Sequence, residues 1–154
     1  MLKVGDMAPD FTLQDQDWEL HTLSDFRDQK VLLYFYPKDA TPGCTVEACS
    51  FRDNLNILKG KGVQVLGVST DSVESHKKFV AKHSLNFPLL ADIEKEVCKE
   101  YSVLVEKSMF GKKYMGLQRD SFLIDENGKI IKHYVKVNPL KHVAEVLDDI
   151  SKLK

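Results

Sequence analysis

The amino-acid sequence predicts an α/β protein in which a central mixed β-sheet is flanked by helices. Two apolar runs, KVLLYFYP at 30–37 and VQVLGVST at 63–70, have the length and composition of strands buried on both faces. A helical pattern lies between them, which favours a right-handed crossover joining two parallel strands. Two further apolar runs surround Asn127-Gly128, a strong turn signal, and predict an antiparallel hairpin that makes the sheet mixed.

The first helix is expected from Thr41 to about residue 59, because apolar residues recur at helical spacing through it and Gly60 and Gly62 follow. The apolar stripe of this helix consists of Ala48, Phe51, Leu55 and Leu58.

The remaining elements follow from the same patterns in chain order. A second helix is expected from Val73 to about His83, and FPLLAD at 87–92 predicts a short strand. Apolar residues at 93, 97 and 101 indicate another helix. An amphipathic helix from Leu140 onward closes the chain.

The bulk composition is that of an ordinary globular protein of 154 residues, 43% hydrophobic and 29% charged. We expect one domain spanning 1–154. The formal net charge of −1 gives no basic field that would recruit nucleic acid or an anionic membrane. The longest apolar runs are strand-sized, and the N-terminus has no signal-peptide pattern, so a cytoplasmic location is the default expectation.

Three cysteines are present, Cys44, Cys49 and Cys98. An odd number in a reducing compartment argues against a framework of structural disulfides and raises the prospect of redox or metal chemistry. A buried thiol with no chemical role is the alternative for each of them.

The most informative segment runs from Tyr36 to Cys49 and follows the carboxyl end of a buried strand, where open α/β sheets place their ligands. Thr41 suits the N-cap of the following helix, and Pro42 suits its first position. Cys44 then falls in the first turn, where free N–H groups and the helix dipole favour a thiolate. We therefore expect Cys44 to be a solvent-accessible nucleophile rather than a buried apolar residue.

A thiolate at a helix start is suited to attack a hydroperoxide, but the departing oxygen then needs hydrogen-bond donors. The local candidates are the Thr41 hydroxyl and the N–H groups of Gly43 and Cys44. Arg119, which directly precedes the apolar run at 121–124, is the candidate for a cation delivered from elsewhere in the chain, although it could also be a surface charge.

Cys49 lies five residues beyond Cys44 on the same expected helix. Five helical residues place the two Cα atoms roughly 8–9 Å apart, whereas a disulfide requires less than about 7 Å. If the two cysteines join, the first turns of the helix must unwind.

A metal site is the competing interpretation of the two cysteines. It requires two more ligands, which Cys98 and one of five histidines would have to supply, and no CxxC or HxxxH pair supports it. The candidate histidines are His21, His76, His83, His133 and His142. We expect neither a metal nor another cofactor.

The motifs themselves resemble a known family. The pattern Pro37-x-x-x-Thr41-x-x-Cys44 is similar to the peroxiredoxin active-site signature, and TPGCTVEAC resembles the bacterioferritin-comigratory-protein, or Q-type, peroxiredoxins. The resemblance extends through GDMAPDFTL, GVSTDSVESHKKF and FPLLAD to GLQRDSFLID, with Arg119 at the position of the family's active-site arginine.

The resemblance implies a thioredoxin-like fold with an N-terminal β-hairpin extension. It implies that Cys44 is the peroxidatic cysteine, that Thr41 and Arg119 bind and polarise the peroxide, and that Cys49 resolves the sulfenic acid of Cys44. An intramolecular disulfide would result, which thioredoxin or a similar dithiol protein would reduce.

The same resemblance assigns supporting roles. Pro37 would shield the sulfur from solvent, and Glu47 would orient Arg119, although a solvated carboxylate is the simpler interpretation of Glu47. Cys98 is expected in the core. Capping and packing are the expected roles of Asp71 and His76. A monomer or weak homodimer is the expected oligomeric state.

Two other functions stay open. A redox sensor or an oxidation-triggered chaperone could use the same pair, Cys44 and Cys49, without turnover. A general disulfide oxidoreductase is disfavoured, because the sequence has no CxxC motif.

Overall fold

The computed structural model describes residues 2–153, whose central element is a seven-stranded mixed sheet. The strands are β1 (Thr12–Gln14), β2 (Leu20–Thr22), β3 (Lys30–Phe35), β4 (Val63–Ser69), β5 (Leu89–Ala91), β8 (Ser121–Ile124) and β9 (Ile130–Tyr134), with β6 (Leu104–Met109) and β7 (Lys112–Leu117) forming a separate pair. The helices are α1 (Pro42–Gly60), α2 (Val73–His83), α3 (Glu96–Glu100) and α4 (His142–Ser151).

The order of strands in the sheet is β2-β1-β5-β4-β3-β8-β9. Strands β3, β4 and β5 are parallel, while β8 and β9 add to one side antiparallel and the β1–β2 hairpin adds to the other. The mixed sheet, its flanking helices and the N-terminal hairpin confirm the predicted fold class.

Alternate residues of β3 enter two different cores, as the period of two in a strand requires. Leu32 and Tyr34 join the core that α1, α2 and α4 cover. Leu33 and Phe35 join the core on the opposite face, which contains Cys98 of α3. Both faces of β3 are therefore buried, which explains its continuous apolar sequence.

Helix α1 begins and ends where the sequence indicates. Thr41 occupies the N-cap position with an extended backbone and Pro42 is the first helical residue, while Gly62 has a φ of 76° beyond the last turn. The Thr41 side chain does not cap the helix, however. Its hydroxyl donates to the Lys38 carbonyl at 2.9 Å, so the capping role predicted for the side chain is wrong.

The structure also corrects the elements after β5. Ile93 is exposed and precedes α3, which covers only five residues. Asp92 caps this short helix by accepting from the N–H groups of Val97 and Cys98. The hairpin of β6 and β7 was not predicted. Its strands turn at Phe110 and Gly111, both at positive φ. Its residues are largely exposed, so no buried periodicity marks it.

No helix within residues 2–153 combines the length and the apolar character that crossing a bilayer requires.

Candidate active site

The candidate site lies where β3 ends and α1 begins. The β3 strand carries the chain to Pro37, which is half-buried, and a short loop leads to Thr41. The first hydrogen bond of the helix runs from the Thr45 N–H to the Thr41 carbonyl at 2.9 Å. The N–H groups of Gly43 and Cys44 therefore precede the helical ladder and lie at the positive end of its dipole.

Arg119 completes the site from the part of the chain that precedes β8. It lies on the segment between β7 and β8, and because β8 pairs with β3, this segment is held next to the end of β3. The Phe35 N–H donates to the Asp120 carbonyl at 2.8 Å, which fixes this junction. The Arg119 Nη2 group donates to the Cys44 sulfur at 3.2 Å.

Glu47 lies one helical turn beyond Cys44, on the same face of α1, and binds the same arginine. Arg119 Nη1 donates to Glu47 Oε1 at 2.7 Å, so the guanidinium bridges the carboxylate and the thiol. The Glu47 side chain is 0% exposed and that of Arg119 15%. The interpretation of Glu47 as a solvated carboxylate is therefore wrong.

Burial has a direct electrostatic effect on Glu47. Loss of hydration raises its pKa to about 7, against the opposing pull of Arg119. Its second oxygen, Oε2, has no hydrogen-bond partner among residues 2–153, and neither has the buried hydroxyl of Tyr34. Tyr34 belongs to the same core cluster as Cys44, and the nearby Glu47 and Cys44 add to the effect of burial in raising the pKa of Tyr34. No sequence pattern indicated that this tyrosine lies near the site.

The exposure of Cys44 differs from the expectation. The residue is only 2% exposed, so the predicted solvent-accessible position is wrong. Arg119, which is remote in the sequence, contacts its sulfur. A Cβ atom at Gly43 would meet Arg119 Nη2 at 3.2 Å and Pro139 Cγ at 3.5 Å, so the missing side chain of Gly43 lets both residues approach the helix start. Pro139 was not identified from the sequence.

Cys49 lies on the same helix and is half-exposed. All three cysteines are free thiols, and α1 is continuous from Pro42 to Gly60 across both Cys44 and Cys49. The structure therefore represents the reduced protein with the helix intact.

Cys98 takes no part in this arrangement. It is buried in the core on the opposite face of the sheet from Cys44. Burial and the neighbouring Asp92 carboxylate raise the pKa of Cys98 far above its usual range, which keeps it a thiol. Cys44 and Cys98 cannot share a metal ion across the sheet. The two carboxylate–histidine groups within ligand distance in residues 2–153 contain no cysteine.

The structure thus brings together Cys44, Glu47, Arg119 and the helix start, with Thr41 and Pro37 on the loop before them. A thiol, a guanidinium and free N–H groups at the end of a central strand define a thiol-based redox site on a thioredoxin-like fold.

Comparison with known proteins agrees with this class. The model of the AhpC/TSA family matches residues 4–133. Peroxiredoxin Bcp of Escherichia coli K12 is 56% identical over 129 residues, which cover 84% of this chain and 83% of that protein. Each of two solved structures matches 98% of this chain and 96% of its own chain. A cysteine mutant of Xylella fastidiosa PrxQ has a TM-score of 0.93 at 35% identity, and a Xanthomonas campestris bacterioferritin comigratory protein, in a study of its alkyl peroxide reduction, has 0.90 at 34%.

The chain belongs to the AhpC/TSA family and, within it, to the peroxiredoxins of the bacterioferritin-comigratory, or Q, type, as the sequence motifs indicated. It is accordingly a thiol-dependent peroxidase.

Proposed function

We propose that Cys44 is the nucleophile with which this protein reduces hydrogen peroxide and organic hydroperoxides, and that Cys49 resolves the oxidised sulfur. The observation that carries the proposal is the hydrogen bond from Arg119 Nη2 to the Cys44 sulfur at 3.2 Å. A guanidinium in this position stabilises a thiolate before the reaction and the charge on the leaving oxygen during it.

In the first step the Cys44 thiolate attacks one oxygen of the hydroperoxide. An S–O bond forms and the O–O bond breaks, while the proton of the hydroperoxide ends on the leaving oxygen. Thiolate and hydroperoxide thus give sulfenate and either water or an alcohol. Arg119 and the N–H groups of Gly43 and Cys44 supply donors for this step. The Thr41 hydroxyl donates to the Lys38 carbonyl, so it is not the donor to the leaving oxygen that the sequence suggested. Its oxygen is left to accept a hydrogen bond from the peroxide.

In the second step the Cys49 thiol condenses with the Cys44 sulfenic acid and releases water. The intact helix holds the two cysteines too far apart for a disulfide, so residues before Phe51 must unwind first. A thioredoxin or a similar dithiol protein then exchanges with the disulfide and restores both thiols. Pro37 limits solvent access, and Glu47 keeps the guanidinium aligned with the sulfur.

The proposal of organic hydroperoxides rests on two exposed apolar residues, each next to a part of the chain that lies at the helix start. Val46 lies on α1, and Leu140 follows Pro139, whose ring approaches Gly43; both are exposed. An alkyl group could contact them while the peroxide oxygen reaches Cys44. Reaction of tert-butyl hydroperoxide at a rate comparable with hydrogen peroxide is the expected result.

The experiment that tests the proposal is a thiol count before and after a slight excess of peroxide, together with steady-state turnover coupled to a thioredoxin system. The wild type should lose two thiols and turn over repeatedly. Cys49→Ser should react once and stop at the sulfenic acid, and Cys44→Ser should react negligibly. Retention of all three thiols in the wild type contradicts the proposal. A single reaction without turnover would instead support the redox sensor or oxidation-triggered chaperone.

Several expectations stay predictions. They are a single domain across 1–154, a monomer or weak homodimer, a cytoplasmic location, and the lack of a cofactor, of nucleic-acid binding and of membrane binding.

A further inference from the structure

A buried pair of a histidine and a carboxylate lies under the loop that precedes α1. Asp39 is 7% exposed and His76 0%. His76 Nε2 is 3.0 Å from the Leu90 carbonyl, which only accepts, so Nε2 carries a proton. His76 Nδ1 is 2.6 Å from Asp39 Oδ2. The ring is thus held between the Leu90 carbonyl and the Asp39 carboxyl group.

Asp39 collects further donors from the surrounding elements. Its Oδ1 accepts from the Tyr36 hydroxyl at 2.6 Å, and its Oδ2 accepts from Ser75 Oγ of α2 at 2.8 Å. Its own N–H donates to Asp71 Oδ2 at 2.8 Å. Main chain and side chain of Asp39 are thus fixed to the residue that follows β3, to α2 and to the loop between β4 and α2.

This anchorage matters because the next residue has an unfavourable backbone. Ala40 has a φ of 63°, in the left-handed region that residues with a Cβ atom rarely adopt. Thr41 follows directly, and its hydroxyl donates back to the Lys38 carbonyl at 2.9 Å. Residues 38–41 form a tight turn whose conformation the free chain would seldom adopt, and Asp39 lies at its centre.

We propose that Asp39 and His76 are positioning residues for the peroxide reaction, acting through Thr41: they hold the 38–41 turn in the conformation that presents the Thr41 oxygen at the start of α1. The inference rests on the proposed function of Cys44, and it extends the roles of capping and packing expected for His76 from the sequence.

The test separates the positioning of Thr41 from the general reactivity of the thiol. Hydrogen peroxide needs Thr41 and its neighbours, whereas iodoacetamide alkylates any accessible thiolate. Both second-order rate constants of Cys44 are measured in the Cys49→Ser background, with and without Asp39→Asn. Because small displacements of positioning groups can cost up to about a hundredfold, we expect the peroxide rate to fall by about tenfold or more and the alkylation rate by less than about threefold.

A double-mutant cycle shows whether Asp39 acts through Thr41. In the Thr41→Val background, Asp39→Asn should lower the peroxide rate by less than about twofold, because coupled residues are not additive. Ser75→Ala removes one donor to Asp39 with little risk to folding, and it should show the same selectivity at a smaller amplitude.

The chain offers a matched control in Asp15, another buried carboxylate, which contacts His21 Nε2 at 2.7 Å. It follows β1, which is separated from β3 by β5 and β4, so Asp15→Asn should leave both rates unchanged. The inference is overturned if Asp39→Asn and Ser75→Ala react with peroxide like the wild type, if both reagents slow equally, or if the Asp39 and Thr41 effects multiply. Failure of the unsubstituted Cys44 to react with peroxide would instead overturn the proposed function itself.

Discussion

Arg119 and Cys44, 75 positions apart in the sequence, are joined by a hydrogen bond of 3.2 Å from guanidinium to sulfur. The pairing of β8 with β3 brings them together, and the salt bridge with Glu47 fixes the other half of the guanidinium at 2.7 Å. A thiol that is almost fully buried therefore has a cation beside it. The guanidinium can donate to the charge that develops on the leaving oxygen while burial excludes bulk water, so the geometry predicts several measurable properties.

Thr41→Val tests the hydroxyl on the loop. Valine keeps the size of threonine but cannot accept a hydrogen bond from peroxide, and it also loses the bond to the Lys38 carbonyl. We expect the second-order rate constant with hydrogen peroxide to fall by about a hundredfold, the loss that misplacing one aligned group can cause. Stopped-flow measurement gives the constant. Thr45→Val on the same helix is the control and should react like the wild type; an unimpaired Thr41→Val would remove Thr41 from the mechanism.

Glu47→Gln tests the buried carboxylate through the pH dependence of stability. The pKa of Glu47 is raised to about 7 in the folded protein, from 4.5 in the unfolded reference. Below 4.5 the carboxyl is protonated in both states and carries no penalty. As the pH rises through 4.5 towards 7, only the unfolded state releases the proton readily, so the folded state loses up to about 3 kcal/mol.

The free energy of unfolding of Glu47→Gln minus that of the wild type should therefore become more positive between pH 4.5 and pH 8, because only the wild type loses stability over this range. Urea denaturation at both pH values provides the measurement, with Glu94→Gln on an exposed loop as the control. A difference that does not change with pH would show that Glu47 does not titrate in this range. Glu47→Gln should also lower the peroxide rate, because Arg119 loses its anionic partner.

Formation of the disulfide should unwind only the start of α1. Phe51 is buried, and its ring stacks on that of Tyr34 with 4.7 Å between the ring centroids. Arg52 Nη1 donates to the His83 carbonyl at 2.6 Å. These contacts fix the helix from residue 51 onward. Amide hydrogen exchange of the oxidised protein should accelerate at residues 45–49 and stay slow at 53–59.

The same exchange experiment on Cys49→Ser after peroxide treatment supplies the control, because a sulfenic acid alone does not require unwinding. Equal protection of residues 45–49 in the reduced and in the peroxide-treated wild type would rule out an intramolecular disulfide that needs this helix to unwind.

Much of the fold was predictable because its signals are local. Buried strands such as 30–35 read as continuous apolar runs, and α1 is bounded by Pro42 and Gly60. The hairpin at 104–117 was missed because its exposed residues, Phe110 among them, leave no apolar alternation.

The site was predictable in its residue types and less so in its environment. Motif spacing identified Cys44, Cys49 and Arg119 as candidates. The burial of Cys44 could not be foreseen, because Arg119, which contacts its sulfur, is remote in the sequence. The contact of Asp39 with His76 likewise depends on α2 packing beside the loop.

The most direct measurement is the second-order rate constant of Cys44 with hydrogen peroxide in the wild type and in Arg119→Met, with Arg27→Met as an exposed control. Loss of a donor to the leaving oxygen and of the cation beside the sulfur should lower the constant by about a hundredfold or more, while the control stays unchanged. An Arg119→Met protein that is folded and reacts within about twofold of the wild type would contradict the account, because a loss of that size is negligible beside that of an aligned donor.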